Sequence, residues 1–416
     1  MKRIGGKHMK NNKKIQNKFD MLKQEQGAIT LLILVTLLFF LIFLVNLYMS
    51  GGNKIASQQK EIANVQEAYS ASDEEMESEY GRVTELKLVD TADTKPGAAM
   101  PTGTTVIEAD LSKGIVIKDS KNNEWVWIEV PKTTVFTSAQ SSIDYDNIKA
   151  DLISYATDYR EGSVVQVYNW TDEWYDGCGI ADSGTYTTTY QKMLSSVYTN
   201  GGFWIGRYEA GVSDTTPRTE EGEIIGLEAK SQPDMYPFNY VTCSQAQTLA
   251  SAMSTDSSKT SSLMFGIQWD LVCKYLEGKD GLAKADINSD SYSWGNYANS
   301  PITNLSGKYA IYSQSSDTLG AWNPIPDGYT KPSSGTENRV LLSTGASEYT
   351  KKMNIYDFAG NEWEWTLEHA TSDTDYPCAC RGGSYNDYGS DYPASYRVYD
   401  TTSHSYFIIS FRPSLY

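Results

Sequence analysis

The run NIYDFAGNEWEWTLE at residues 354–368 carries more structural information than any other stretch of this 416-residue chain. Gly360-Asn361 reads as a turn. Beyond it Glu362, Trp363, Glu364 and Trp365 alternate, and an extended backbone sends alternate side chains to opposite faces, two indoles one way and two carboxylates the other. The indoles belong to a core. The carboxylates, with Asp357 and the carbonyls of a tight turn, are hard oxygen donors of the kind calcium gathers. A loop held by ordinary hydrogen bonds is the competing reading.

Upstream, GIVIKDSKNNEWVWIEVP predicts two strands around an Asn122-Asn123 turn. Ile115 and Ile117 share a face of the first, Val126, Ile128 and Val130 a face of the second, and Trp125 and Trp127 take that strand's other face. GGFWIGRYEAG reads as a further strand. SQAQTLASAM and SSLMFGIQWDLVCKYLEG have helical spacing, with Met264, Ile267, Leu271 and Tyr275 on one face of the second. The C-terminal third, rich in Gly, Tyr and Ser, reads as loops and short strands. Two helices among irregular strands predict an α+β domain.

NIYDFAGNEWEWTLE, followed by RGGSY at residues 381–385, ASYR at 394–397 and SFRPSLY at 410–416, resembles the formylglycine-generating enzyme (sulfatase-modifying factor) family. The resemblance covers residues 114–416 and implies that family's variant of the C-type-lectin-like fold. It also implies a structural calcium ion at Asp357, Gly360, Glu362 and Glu364, with main-chain oxygens serving at Gly360 and Glu362. The family's oxidases hold copper with two cysteines placed after the tyrosine of GGSY. Here those positions are Asp387 and Tyr392, neither of which supplies a thiolate, so no copper and no catalysis are expected. The five cysteines, Cys178, Cys243, Cys273, Cys378 and Cys380, lie elsewhere. Cys378 and Cys380, two apart on a strand, would share a face, which suits small buried fillers better than a mutual bridge.

Between Tyr385 and Ile409 the chain reads YNDYGSDYPASYRVYDTTSHSYFII, dense in Tyr, Asp, Ser and Asn. Recognition surfaces use this composition, because Tyr supplies rigid amphipathic area at low entropic cost and Ser and Asn supply adaptable hydrogen bonds. The segment also resembles the variable region of proteins diversified by diversity-generating retroelements, which share the scaffold. Adenine mutagenesis of Asn codons yields residue types found at Asp387, Tyr388, Asp391, Tyr392, Val398, Tyr399, Asp400, His404, Tyr406, Phe407 and Ile408, with Asn386 as an unaltered codon; together with Tyr385 these are the predicted ligand-binding set. The competing reading is that these tyrosines only cover the core of a loop-rich domain.

The other end of the chain predicts where this domain sits. Residues 28–49 hold no charge, and 22 residues at ~1.5 Å each span a hydrocarbon core. The 27-residue leader before them has eight Lys/Arg against two acids, a net of +6, while the rest nets −23. Positive flanking charge places the leader in the cytoplasm and the acidic remainder outside. KQEQGAITLLILV resembles a type IV prepilin N-terminus with cleavage after Gly27, although Leu32 stands where pilins carry Glu; a plain uncleaved anchor is the other reading. Ile55, Ile62, Tyr69, Met76 and Val83 recur every seven residues and predict a helical stalk over 51–89. Residues 90–112 read as a Thr/Ala/Pro linker and 113–416 as the lectin-like domain.

A net charge of −17 opposes nucleic-acid binding, and three histidines are too few for a three-His metal centre. The expected function is a membrane-anchored cell-surface recognition protein with a protein or glycan ligand. A minor pilin-like component of a pilus-type assembly and a divergent oxidase using Cys378 and Cys380 are the alternatives.

Overall fold

The hairpin expected around Asn122-Asn123 forms as read. Asn122 takes the left-handed conformation (φ 64°), and Asp119 braces the turn, accepting from Lys121 N at 2.8 Å, Asn123 N at 2.9 Å and the Trp125 indole at 3.1 Å. The computed structural model describes residues 86–136, 143–160, 169–213 and 216–416. In chain order its elements are α1 (Pro96–Ala99), β1 (Thr105–Glu108), β2 (Val116–Lys118), β3 (Glu124–Glu129), α2 (Lys132–Val135), α3 (Tyr145–Tyr155), α4 (Thr157–Arg160), β4 (Trp170–Thr171), α5 (Ser183–Asn200), β5 (Gly202–Gly206), β6 (Gly211–Val212), β7 (Ala229–Lys230), α6 (Cys243–Ser251), β8 (Ser261–Leu263), α7 (Gly266–Leu276), α8 (Lys284–Asn288), β9 (Lys308–Ser313), β10 (Thr318–Leu319), β11 (Asn323–Pro324), β12 (Val340–Leu342), β13 (Trp363–Ala370), β14 (Cys378–Arg381), β15 (Arg397–Asp400), β16 (Ile409–Phe411) and β17 (Pro413–Leu415). Helices and many short strands make a mixed α+β fold.

Two sheets organise the body. The first has the order β1-β2-β3-β5-β17-β8, and the second runs β15-β14-β13-β16 with β4 on β13. The chain's last strand, β17, therefore lies inside the first sheet, paired antiparallel to β5 and to β8. β13 and β16 run parallel, with Trp363 opposite Ile409 and Trp365 opposite Phe411. Trp127 and Trp204 face each other across β3 and β5, their rings 5.0 Å apart, a cross-strand aromatic pair worth about 0.5–1.5 kcal/mol beyond its buried area. Trp125, Trp127, Trp204, Trp269, Trp294 and Trp365 are all under 2% exposed and Trp363 is 5% exposed, so the indoles of Trp363 and Trp365 are core, as their alternation predicted.

Three expectations are corrected. The helix expected from Ser261 begins only at Gly266: Ser261–Leu263 pairs instead with Pro413–Leu415, a partner about 150 residues away that local periodicity cannot register. Met264 is buried but precedes the helix, whereas Ile267, Leu271 and Tyr275 lie within it. Second, the helices are more than two. The longest described one, α5, escaped detection because Thr, Ser and Tyr are weak helix formers. Its ends are nevertheless legible, with Asp182 accepting from Thr185 N and Gly201 closing at φ 72°. Third, residues 90–112 do not behave as a linker. Thr94 and Ala99 are buried, the Trp127 indole donates to Thr94 Oγ1 at 2.7 Å, the Trp204 indole donates to Ala99 O, and β1 pairs with β2. Small residues that lower a segment's predicted order also let it lie close against large indoles. Residues 90–112 accordingly belong to the same folded unit as the rest of the described chain. Residues 86–89, expected to end the stalk, are not helical.

The apolar run at 28–49, its basic leader and the heptad stripe through Val83 lie outside the described residues. Among those described, no helix is long and apolar enough to cross a membrane.

Candidate functional site

The frame behind the C-terminal loop is a buried ionic lattice. Arg160 from α4, Arg381 from β14 and Arg397 from β15 meet Asp172, Asp270 from α7 and Glu368 from β13. Arg160 reaches Glu368 at 2.8 Å and Asp172 at 3.1 Å; Arg381 reaches Asp270 at 2.8 Å and Glu368 at 3.0 Å; Arg397 reaches Asp270 at 2.6 Å and Glu368 at 3.0 Å. Burial alone would push the Glu368 carboxyl up, but Arg397, Arg381 and Arg160 outweigh it and bring it down to about 2. Burial dominates at Asp172, which is held above the usual carboxylate range. Arg397 lies inside the Tyr-rich segment, yet it is 4% exposed and fastens β15 to the core.

The residues implied as calcium ligands meet protein partners. Asp357 accepts from Thr350 Oγ1 at 2.7 Å and from Gly345 N at 2.7 Å. Glu364 is held by Arg412, through Nη2 at 2.7 Å and Nε at 3.2 Å. Gly360, at φ 71°, lies so close to Asn296 that a Cβ would come within 2.3 Å of its carbonyl oxygen, which restricts the position to glycine. Glu362 accepts from Asn239 at 2.9 Å through Oε1. Its Oε2, together with Glu209 Oε2 and Asn296 Oδ1, has no hydrogen-bond partner among the described residues. The side-chain oxygens of Asp357 and Glu364 thus already have protein partners. Among the described residues no group of three or more His, Cys, Asp or Glu is placed to hold a metal ion.

Glu209 was not anticipated. It is fully buried and takes a hydrogen bond from Asn361 Nδ2. Burial first, then the neighbouring Asp357, Glu362 and Glu364, pushes its carboxyl well above the usual range. Burial does the same to Glu362. The sequence signal was a lone acid inside an apolar strand-and-turn segment, WIGRYEAG.

The thirteen predicted ligand-binding residues divide into anchors and outward groups. Tyr385 and Phe407 are 0% and 3% exposed and pack with Tyr312 and Leu341 in a small core of their own. Asp387 pins the loop, accepting from Ser384 Oγ at 2.6 Å and Ser384 N at 2.9 Å, while its carbonyl accepts from Ala298 N. Asn386 O accepts from Arg339 at 3.2 Å. Tyr388, 44% exposed, and Asp391 stand outward. The remainder are half-buried. Tyr392 lies edge-on to Trp363 at 5.5 Å and to Tyr396 at 5.0 Å. Tyr399 stands edge-on to the exposed Tyr376 at 5.5 Å. Tyr406 stacks on His404 at 5.7 Å and donates to Asp317 at 2.9 Å. A hydrogen bond with Asp400 holds the His404 imidazole above its usual value. Val398 and Ile408 pack on the main core.

All five cysteines are free and buried. The Cys378 thiol is pushed up by its hydrogen bond with Cys243 and by burial, and that of Cys380 by burial. Both are therefore neutral thiols rather than thiolates.

No family model matches the chain, and no curated protein matches it. Among solved structures, Treponema denticola variable protein 1 is similar over 51% of this chain and 84% of its own, at 14% identity and a TM-score of 0.28. CarF is similar over 70% of this chain and 85% of its own, at 15% identity and a TM-score of 0.20. Superpositions this loose leave fold and function to be argued from the chain's own residues.

Proposed function

We propose that the chain is a non-catalytic, membrane-anchored recognition protein. In this reading residues 28–50 anchor it, and a C-type-lectin-like domain of the formylglycine-generating-enzyme type binds a protein or glycan outside the cell through the C-terminal segment. The observation that carries the reading is the division of the Tyr-rich segment. Tyr385, Phe407 and Arg397 fix it from inside, so Tyr388 and Asp391 stand outward and the half-buried Tyr392, Tyr399, His404 and Tyr406 present their edges beside them from a frame already ordered. Contact groups held this way lose little freedom on binding, which is where affinity is commonly forfeited. Asp387 and Tyr392, at the two positions where the related oxidases carry copper-binding cysteines, act here as loop brace and aromatic contact.

The test is to probe printed glycans and printed proteins with the full chain in detergent. The reading predicts saturable binding to at least one class, lost in Tyr388→Ala combined with Asp391→Ala. Binding that survives the double variant would move the contact surface elsewhere.

A further inference from the structure

Two cysteines far apart in sequence meet beside one tyrosine. Cys243 is the first residue of α6 and Cys378 the first of β14, 135 positions later (378 − 243), and both are fully buried. The Tyr175 hydroxyl lies 3.4 Å from Cys243 Sγ, and the Tyr175 ring packs 4.9 Å from that of His369, the residue opposite Cys378 across β13 and β14. Cys243 Sγ donates in turn to Thr366 O at 3.7 Å, on the same strand as His369. The two sulfurs therefore converge on one place, where the Cys378 thiol donates a hydrogen bond to Cys243. Touching thiols on separate elements suit a disulfide, whereas neighbours two apart on one strand, such as Cys378 and Cys380, do not.

The other three cysteines are placed differently. Cys178 Sγ donates to Ile180 O at 3.8 Å, within its own loop; Cys380 lies opposite Val398; Cys273 is in α7, on the side of Arg381 and Arg397. The paired thiols also differ from each other. The hydrogen bond from Cys378, aided by Tyr175 and opposed by burial, lowers the Cys243 thiol, while that same bond and burial raise the Cys378 thiol. Cys243 is thus the better attacking sulfur.

We propose that Cys243 and Cys378 are a cross-linking site, closed to a disulfide by an oxidant of the glutathione-disulfide class as the chain folds. Cys243, as thiolate, attacks one sulfur of the oxidant and expels one glutathione; Cys378 then attacks the mixed disulfide at the Cys243 sulfur and expels the second. One protein S–S bond replaces the glutathione one, two electrons pass to glutathione, and the two protein thiol protons end on the expelled sulfurs. Both sulfurs are buried once β14 is in place, so the reaction belongs to the partly opened chain. The bond ties α6 to β14, the strand that leads through Arg381 to Tyr385, and so braces the frame of the Tyr-rich segment. Exported chains meet such oxidants, but the pairing itself does not depend on the topology proposed above.

Cycling the full chain in detergent through its urea transition with oxidised glutathione tests this. Of the five thiols, two are lost and three (5 − 2) remain when counted under denaturing conditions. A non-reducing digest yields one cross-linked peptide pair, carrying Cys243 and Cys378. The melting temperature rises by several degrees and falls back in reductant, as closure of a long loop implies. Cys243→Ala and Cys378→Ala each abolish the cross-link and the rise, whereas Cys178→Ala and Cys380→Ala keep both; a cooperative melt of each variant in reductant shows that it folds. Five thiols remaining after the cycle, a cross-link that joins another pair, or a Cys243–Cys378 bond that leaves the melting temperature unchanged or lower overturns the proposal.

Discussion

Individual carboxylates in this molecule are shifted in opposite directions by their surroundings. Three guanidiniums outweigh burial at Glu368 and hold its carboxyl low, whereas burial and the neighbouring acids hold that of Glu209 high. A lowered value stabilises the fold above the unfolded carboxylate range, about 4.3, and that contribution is lost as pH falls through about 2. A raised value works in the opposite sense: its contribution is full below about 4.3 and is lost as pH rises through the folded-state value. Glu209→Gln should therefore leave the melting temperature at pH 7 unchanged or higher and flatten its decline toward alkaline pH. A fall of several degrees would show that Glu209 is ionised and paired. Arg397→Ala, by contrast, strands Asp270 and Glu368 and should cost about 3–5 kcal/mol in chemical denaturation, although it lies between residues nominated as surface contacts. The sequence marked Trp363 and Trp365 as core through simple alternation. Arg397 and Glu209 were not legible in that way, because a buried ionisable group is recognised by its partners, which for Arg397 come from α4, α7 and β13 and for Glu209 from residues 357–364.

Elements formed by local pattern were readable, and elements defined by distant pairing were not. The β2–β3 hairpin and α6, with its Thr242–Gln245 capping box, follow from residues within a few positions of each other. β8 does not, since Ser261–Leu263 becomes a strand only because β17 returns to lie between it and β5. The same arrangement makes the last residues structural. Deleting Pro413–Tyr416 removes an interior strand and should leave no cooperative thermal transition, even though ends of chains usually tolerate trimming. A truncated chain that melts as the full one does would contradict this topology. Helix α5 teaches a related lesson. Its cap signals at Asp182 and Gly201 were visible, but its Thr- and Tyr-rich interior depends on burial of Tyr186, Tyr190, Met193, Leu194 and Val197 for its stability.

For the whole molecule, composition located the charge better than it located function. The split between a +6 leader and a −23 remainder motivates the proposed topology, with the acidic domain outside. The resemblance to a calcium-binding, copper-dependent family suggested a metal, whereas Asp357 and Glu364 are satisfied by Thr350, Gly345 and Arg412. Chelation with EGTA should accordingly leave the melting temperature where it was; a drop of several degrees would place a cation beside Glu362, Glu209 and Asn296. The candidate surface was legible as a composition, but its division into anchors and contacts was not, because Tyr385 and Tyr388 are the same residue type three positions apart and only packing separates them.

That division is tested most directly by measuring thermal stability and ligand binding together in single alanine variants of Tyr385, Phe407, Tyr388 and Tyr406. The account predicts that Tyr385→Ala and Phe407→Ala each cost about 3–5 kcal/mol of stability. Tyr388→Ala and Tyr406→Ala should stay within about 1 kcal/mol of wild type while losing binding. Equal destabilisation by all four would contradict it and make the tyrosines a cover for the core rather than a recognition surface.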